Sequence, residues 1–294
     1  MAPGLPRSGL PCGVCVEVRA VRGSSPREIG ARMLVRPDGF EGTIGGGQLE
    51  HTAIARARDM LADWVSGMAP VADDVETRAL GPQLSQCCGG VVTLAYTPWF
   101  ALHLPPPPPL FHLQLHGAGH VGRALLRALR DVPCVIDWVD LRTDAFPPTV
   151  PERIAATVNR HRIDDPEAMI EAAPSGCMIL VMTHSHPLDF AICEAALRRA
   201  DLPCVGLIGS ATKRAKFELR CRRHGVSAER IDRLICPIGI PGIPGKQPEV
   251  LAVAVAAQLL VLAGNPVPAR HAGTLAEAEH SCAGCPSAST CGAS

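Results

Sequence analysis

Five consecutive prolines, Pro105–Pro109 within Leu-Pro-Pro-Pro-Pro-Pro-Leu, set the first limit on what this chain can become. Such a run favours a stiff polyproline II segment and can sit in neither a helix interior nor a sheet interior. A single core cannot continue through it, and 294 residues with 47% hydrophobic and 19% charged content are enough for a core on each side. The expected layout is an N-terminal domain over 1–104, a linker over 105–110, a second domain over 111–265 and a tail over 266–294.

The two sides differ in pattern. Upstream, GVCVEVRAVRG and ARMLVRPDG read as strands around a Gly-Ser-Ser-Pro turn, and GGVVTLAYT reads as a later strand. Between them, Ile54, Ala57, Leu61, Trp64 and Val65 follow helical spacing and predict one apolar face, so the first domain is expected to be α+β. Downstream, FHLQLHG, VGRALLRALRD, CVIDWVD, CMILVMTHS, FAICEAALRRA and CVGLIGS alternate strand and helix, the pattern of a Rossmann-like parallel sheet. VLAVAVAAQLLVLAG is too short for a membrane span and predicts a buried helix.

The totals exclude some functions. Lys plus Arg and Asp plus Glu are 28 each and aromatic residues are 3%, so neither a global field nor a set of stacking platforms recruits nucleic acid. No secretory h-region is evident near the N-terminus, no membrane span is expected, and thirteen cysteines without an export signal fit reduced thiols in a cytoplasm. Most of them are expected to be packing residues.

His116-Gly117-Ala118-Gly119-His120-Val121-Gly122 contains the G-x-G-x-x-G pattern after an expected strand and at the start of an expected helix, where its physics applies. Gly117 allows the tight turn, Gly119 the approach of a pyrophosphate and Gly122 close helix packing, while Asp140 has the position of a ribose-binding carboxylate. These positions suit a nucleotide in this domain or a Rossmann fold put to another use, with His120 contacting another anion instead. His184 and His186 lie at the third strand end, where they suit metal binding or proton exchange, or serve as loop and cap residues. Gly209 and Ser210, followed by Lys213, Arg214 and Lys216, suit a phosphate at a strand-to-helix turn, or form a solvated helix face.

In the first domain, Gly45, Gly46 and Gly47 lead into the helix beginning near Gln48, and their amides suit an anion oriented by Gln48 and Glu50, or a hairpin turn with a cap. Ser24, Ser25 and Arg27 complete such a pocket or form a turn. Gln86-Cys87-Cys88-Gly89-Gly90 places two thiols beside two glycines. Neighbouring Cα atoms lie about 3.8 Å apart, short of the roughly 4.4–6.8 Å of an unstrained disulfide, so the two are separate thiols. The tail holds His280, Cys282, Cys285 and Cys291, compatible with a metal site or with an oxidisable segment.

Over roughly residues 12–262 the chain resembles the xanthine dehydrogenase accessory proteins of the XdhC/CoxI type. The resemblance runs through VRGSSPREIGARMLV, GTIGGGQLEH, GPQLSQCCGG, HGAGHVGRALL, VMTHSHPLDFAICEAAL, GLIGSATKRAKF and CPIGIPGIPGKQPEVLAVAVAAQLL, in that order. It implies a chaperone rather than a catalyst, acting in purine catabolism: one that binds the molybdenum cofactor (molybdopterin), supports its sulfuration by a cysteine desulfurase and delivers it to the molybdenum subunit of xanthine dehydrogenase. Cys87 and Cys88 would then hold the molybdenum or relay sulfur, Gly89 and Gly90 would admit the pterin, and the Gly45–Gly47 helix end would receive its phosphate. A homodimer is compatible with this reading. The rival class is an NAD(P)-dependent oxidoreductase using the second domain, with His184 or His186 moving protons.

Overall fold

The computed structural model describes residues 11–69, 74–80, 89–142, 144–147 and 156–264. The chain divides into two compact units between Pro106 and Pro107, inside the proline run.

Unit 1 is an antiparallel sheet with one helix. Strands β1 (Gly13–Arg22), β2 (Arg32–Arg36), β3 (Gly39–Gly42), β4 (Asp74–Ala79) and β5 (Val91–Trp99) are ordered β3-β2-β1-β5-β4. Alternation in β1 turns Val14, Val16 and Val18 to one face, where they meet Met33, Val35, Leu94 and Tyr96. Helix α1 (Gly47–Val65) closes that face with Leu49, Ala53, Ala57, Leu61 and Trp64, one residue per turn. The expected stripe was displaced by part of a turn: Val65 is 79% exposed and Ile54 packs only at the edge, because Leu49 and Ala53 set the helix rotation. Strand β4 inverts the usual pattern, with Val75 exposed and Glu76 turned inward to accept from the Tyr96 hydroxyl at 3.0 Å. Arg56 of α1 pairs with Asp74 at 2.6 Å and with Glu76 at 3.2 Å, which supplies the partners that half-buried carboxylates require.

Unit 2 is a six-stranded, wholly parallel sheet. Its strands are β6 (His112–His116), β7 (Val135–Asp140), β8 (Thr157–Arg162), β9 (Met178–Val181), β10 (Val205–Leu207) and β11 (Leu234–Ile235), ordered β11-β10-β9-β6-β7-β8. Counted from the first strand of the unit this is the 3-2-1-4-5-6 order of the dinucleotide-binding fold, with its topological switch between β6 and β9. Helices α2 (His120–Ala128) and α7 (Pro248–Gly264) cover one face through Leu125, Leu129, Val255 and Leu259. The other face is covered by α3 (Pro166–Glu171), α4 (His186–Arg198), α5 (Ala211–Arg223) and α6 (Ala228–Ile231), with Phe190, Leu197 and Phe217 against Ile179, Val181 and Leu207. Helix α7, expected to be buried from its apolar run, is buried on one side. Only its Ala252, Ala254–Ala256 and Leu259 side is covered, and Val253 and Val261 are more than half exposed. No helix among the described residues is long and apolar enough to cross a membrane.

Candidate functional site

In unit 1 three of the singled-out segments meet. Gly90 leaves room for the chain to turn past it: a Cβ built there would stand 2.2 Å from the Ser24 carbonyl oxygen and 2.6 Å from that of Arg22. On the other side of the same turn, Pro26 packs on Gly45, whose missing Cβ would lie 2.4 Å from the proline Cγ. The 22–27 turn is thus held between Gly90 and the glycine loop that opens α1. Ser25 Oγ closes the turn on the Arg27 carbonyl at 2.8 Å, and the Arg27 guanidinium lies on Glu28 at 2.8 Å, so Arg27 is matched by its neighbour. Gly89, in contrast, meets no described residue within 4 Å of where a side chain would begin. The place beside Gly90, expected to stand open, is filled by the protein's own backbone. Gln86, Cys87 and Cys88 lie outside the described residues.

The glycine loop corrects one expectation outright. Gly45, Gly46 and Gly47 have φ of 128°, 77° and 61°, the backbone form that turns successive amides inward to face an anion. The anion is internal. Glu50 Oε1 accepts from Ile44 N at 2.9 Å, Gly45 N at 3.1 Å, Gly46 N at 2.8 Å and the Thr43 hydroxyl. Burial pushes this carboxylate up, but the Thr43 hydroxyl and the three amides outweigh burial and leave it below the ordinary range, ionised at neutral pH. The Gly45 and Gly46 amides are therefore not open to a phosphate, and Glu50 fills the site rather than orienting a ligand in it. Gln48 is exposed on the first turn of α1.

In unit 2 the β6–α2 loop has the geometry that its glycines allow. Gly117 has φ 117°, and a Cβ there would strike the Met182 carbonyl oxygen at 2.4 Å, so β6 and β9 approach as closely as backbones can. Gly122 is pressed on the Gly117 carbonyl in the same way, also at 2.4 Å. Gly119 caps α2 with open space beside it and no side-chain cap, leaving the first amides of the helix, next to exposed His120, available to an anion.

Asp140 is not available in the sense expected of a ribose ligand. Its carboxylate accepts from Ala118 N at 2.7 Å, from Arg142 N at 3.0 Å, and from Arg142 Nε and Nη2 at 3.0 and 2.9 Å. Those four bonds use its four acceptor positions. Burial raises its affinity for a proton, yet the Arg142 guanidinium with the Arg142 and Ala118 amides holds it below the ordinary carboxylate range. A ribose hydroxyl would have to displace Arg142, a residue that the spacing argument passed over. Beneath it, His116 is buried and bonded to Gln114 at 2.8 Å, and burial depresses its imidazole to about 3.

The two histidines of the β9–α4 loop separate. His184 lines a small cavity of about 10 Å³ with Gly117, Asp140 and Thr183, room for about one water. His186 lines a larger cleft of about 550 Å³ beyond β10, together with Gly209 and Ser210. Facing different cavities, they do not form a joint ligand pair. Among the described residues no three His, Cys, Asp or Glu side chains are grouped to hold a metal ion. The loop is fixed by Asp189, fully buried, which accepts from Thr183 N and Oγ1 at 3.1 and 2.7 Å and from Lys213 Nζ at 2.7 Å. An aspartate in the first turn of a helix reads as a dipole partner in sequence, and its bond to Lys213 had no local signal.

The thiols divide by burial. The eight described cysteines form no disulfide, and seven are buried. Burial drives Cys15 and Cys221 to about 11 and Cys177 and Cys204 to about 12, so these are protonated packing groups. The cysteines of the tail, with His280, lie outside the described residues.

An antiparallel unit followed by a doubly wound parallel sheet defines a two-unit α/β class of protein with a Rossmann-type second unit, a fold that hosts many chemistries. Comparison with known proteins narrows it: the family described as "XdhC Rossmann domain" matches residues 113–259, and the one described as "XdhC and CoxI family" matches residues 7–69. The chain belongs to the XdhC and CoxI family. It is 28% identical over 252 residues to the uncharacterized protein YqeB of Escherichia coli K12, a match covering 83% of this chain and 42% of that protein, so it spans less than half of that relative's length. The crystal structure of a Bacillus halodurans protein described as a xanthine dehydrogenase has the same fold, with a TM-score of 0.64 at 18% identity over 87% of this chain and 92% of that one.

Proposed function

We propose that this protein is an accessory factor for a xanthine dehydrogenase: it binds the molybdenum cofactor, supports its sulfuration by a cysteine desulfurase, and delivers it to the molybdenum subunit. The observation that carries the reading is the convergence in unit 1, where the 22–27 turn is clasped between Gly90 and Gly45 and so joins the three segments on which the N-terminal resemblance rests. In the sequence, Cys87 and Cys88 immediately precede Gly89 and Gly90. Thiolates are soft donors suited to a sulfur-rich molybdenum centre, and a thiol also takes up sulfur as a persulfide. The buried cysteines whose pKa burial raises to about 11 or 12 are unsuited to either task.

Not every expected contact fits this cargo. The Gly45 and Gly46 amides are filled by Glu50, whereas Gly89, which meets no described residue, suits the flat face of a pterin. The oxidoreductase alternative is weakened by Asp140, whose acceptors Arg142 and Ala118 occupy.

The test is a Cys87→Ala/Cys88→Ala protein purified from cells that make the cofactor. Molybdenum and pterin recovered per chain should fall well below wild type while circular dichroism and the melting temperature stay unchanged. Equal recovery would remove the thiols from the mechanism.

A further inference from the structure

Of the 28 cationic side chains in the sequence only three are lysines, Lys213, Lys216 and Lys246, and all three line the cleft at the carboxyl ends of β10 and β11. Several arginines do other work. Arg199, Arg214 and Arg233 are spent on backbone carbonyls that tie helices and strand ends together, and Arg56 and Arg142 on half-buried or buried carboxylates. A planar guanidinium suits that role, while an ammonium is a compact charge with rotatable donors that can follow a phosphate.

The three lysines are not equivalent. Lys213 is built into the fold, donating to buried Asp189 at 2.7 Å and to the Ile208 carbonyl at 2.9 Å, so its charge is matched. Lys216, one turn along α5, and Lys246, in the loop before α7, have no ion pair among the described residues, and no carboxylate lines the cleft. They come from separate segments, so they are not one solvated helix face. Two unmatched positive charges equal the charge of about −1.5 to −2 on a phosphomonoester near neutrality. Pro237, Ile238 and Leu251 give the same cleft an apolar wall, and about 550 Å³ lies within the range of about 300–1,000 Å³ for small-molecule sites.

We propose that this cleft binds a phosphorylated small molecule, with Lys216 and Lys246 on the phosphate and the body of the ligand against Pro237, Ile238 and Leu251. The site uses other residues than the glycine loop of β6–α2, and it stands whether or not the cargo is molybdenum. Two sources share the required chemistry, a nucleotide and a pterin phosphate.

The experiment is calorimetric titration of the full chain with AMP and with 6-hydroxymethylpterin phosphate, each beside its unphosphorylated parent. Binding of at least one phosphorylated probe, weakening with added salt, is expected, and the preferred body identifies the source. Lys216→Ala/Lys246→Ala should weaken that binding by about tenfold or more, whereas Arg222→Ala/Arg223→Ala, which removes the same charge from the far end of α5, should leave it within about twofold. Gly119→Val, which blocks the glycine loop, should also leave it unchanged. Equal affinity for the unphosphorylated parents, no binding of either phosphorylated probe, no effect of the double lysine variant, or loss only in Gly119→Val would overturn the proposal.

Discussion

Replacing Glu50 by alanine removes the carboxylate that fills the amide ring ahead of α1 and with it the acceptor shared by Ile44 N, Gly45 N, Gly46 N and the Thr43 hydroxyl, leaving Gly45 N its second acceptor, Thr43 Oγ1 at 3.1 Å. Hydrogen bonds to a charged group contribute about 1.5–3 kcal/mol each, and bonds sharing one oxygen in a partly exposed loop do not add, so about 2 kcal/mol for the whole set is the working figure. At about 1.4 kcal/mol per decade, this corresponds to roughly 30-fold faster hydrogen exchange of the Ile44, Gly45 and Gly46 amides through local opening. Glu50→Gln keeps a neutral acceptor of about half the strength and should accelerate exchange by only about fivefold. The pH dependence has a definite sign. Because the folded carboxylate is held below its ordinary value, its contribution is complete above about pH 4.3 and is lost as pH falls through the folded value, so wild type and Glu50→Gln should converge in acid. Acetate at high concentration should restore protection in Glu50→Ala by occupying the emptied ring. Exchange mass spectrometry on peptides spanning 43–48 reads all of this. An acceleration below about threefold in Glu50→Ala would mean that Glu50 does not hold these amides, returning them to the list of possible phosphate ligands.

Three further outcomes follow from the packing. Gly90→Ala should destabilise unit 1 by about 3 kcal/mol in urea unfolding, since its new methyl meets two backbone carbonyls, while Gly89→Ala should cost almost nothing. Asp189→Asn should cost about 3 kcal/mol by stranding the Lys213 ammonium, and adding Lys213→Met should recover part of that loss. The His116 imidazole, neutral until about pH 3, should show no NMR titration between about pH 5 and 8. It should also make the fold lose stability as pH drops below about 6.5, where only the unfolded chain takes up the proton.

What the sequence disclosed, and what it hid, follows from which side of each element is apolar. Central strands β1, β5, β6, β7, β9 and β10 announce themselves because burial selects runs such as Val-Cys-Val-Glu-Val or Met-Ile-Leu-Val. The edge strands do not. Asp-Val-Glu-Thr-Arg-Ala in β4 alternates but inverted, with Asp74 and Glu76 turned in to Arg56 and Val75 left outside, and Thr-Val-Asn-Arg-His-Arg in β8 has almost nothing to bury, so neither presents the buried apolar face by which a strand is recognised. At the candidate sites, glycines showed where the backbone bends, but glycine spacing is silent on what fills the bend. Glu50 lies one turn after Gly46, the reach of a side chain folding back on its own helix start, so the internal anion was legible in principle. Arg142 on Asp140 and Lys213 on Asp189 were not, since those contacts depend on the path of loops that no periodicity governs.

The carboxyl edge of the parallel sheet is better understood as two half-sites than as one dinucleotide groove. On the β7 side, Arg142 covers the aspartate that would select a ribose, the cavity below admits about one water, and only the start of α2 faces outward. On the β10 side the balance reverses: the one buried carboxylate is already matched by Lys213, and two lysines remain unmatched beside an apolar wall. A dinucleotide needs a ribose acceptor on the first side, whereas a compact phosphorylated ligand needs only the second. Asp189 anchors Thr183 at the β9 end and Lys213 at the start of α5, which sets both sides on one rigid loop with His184 turned to the first and His186 to the second. What sets the β7 side apart is local, the pairing of Asp140 with an arginine two residues away, and not any departure in strand order.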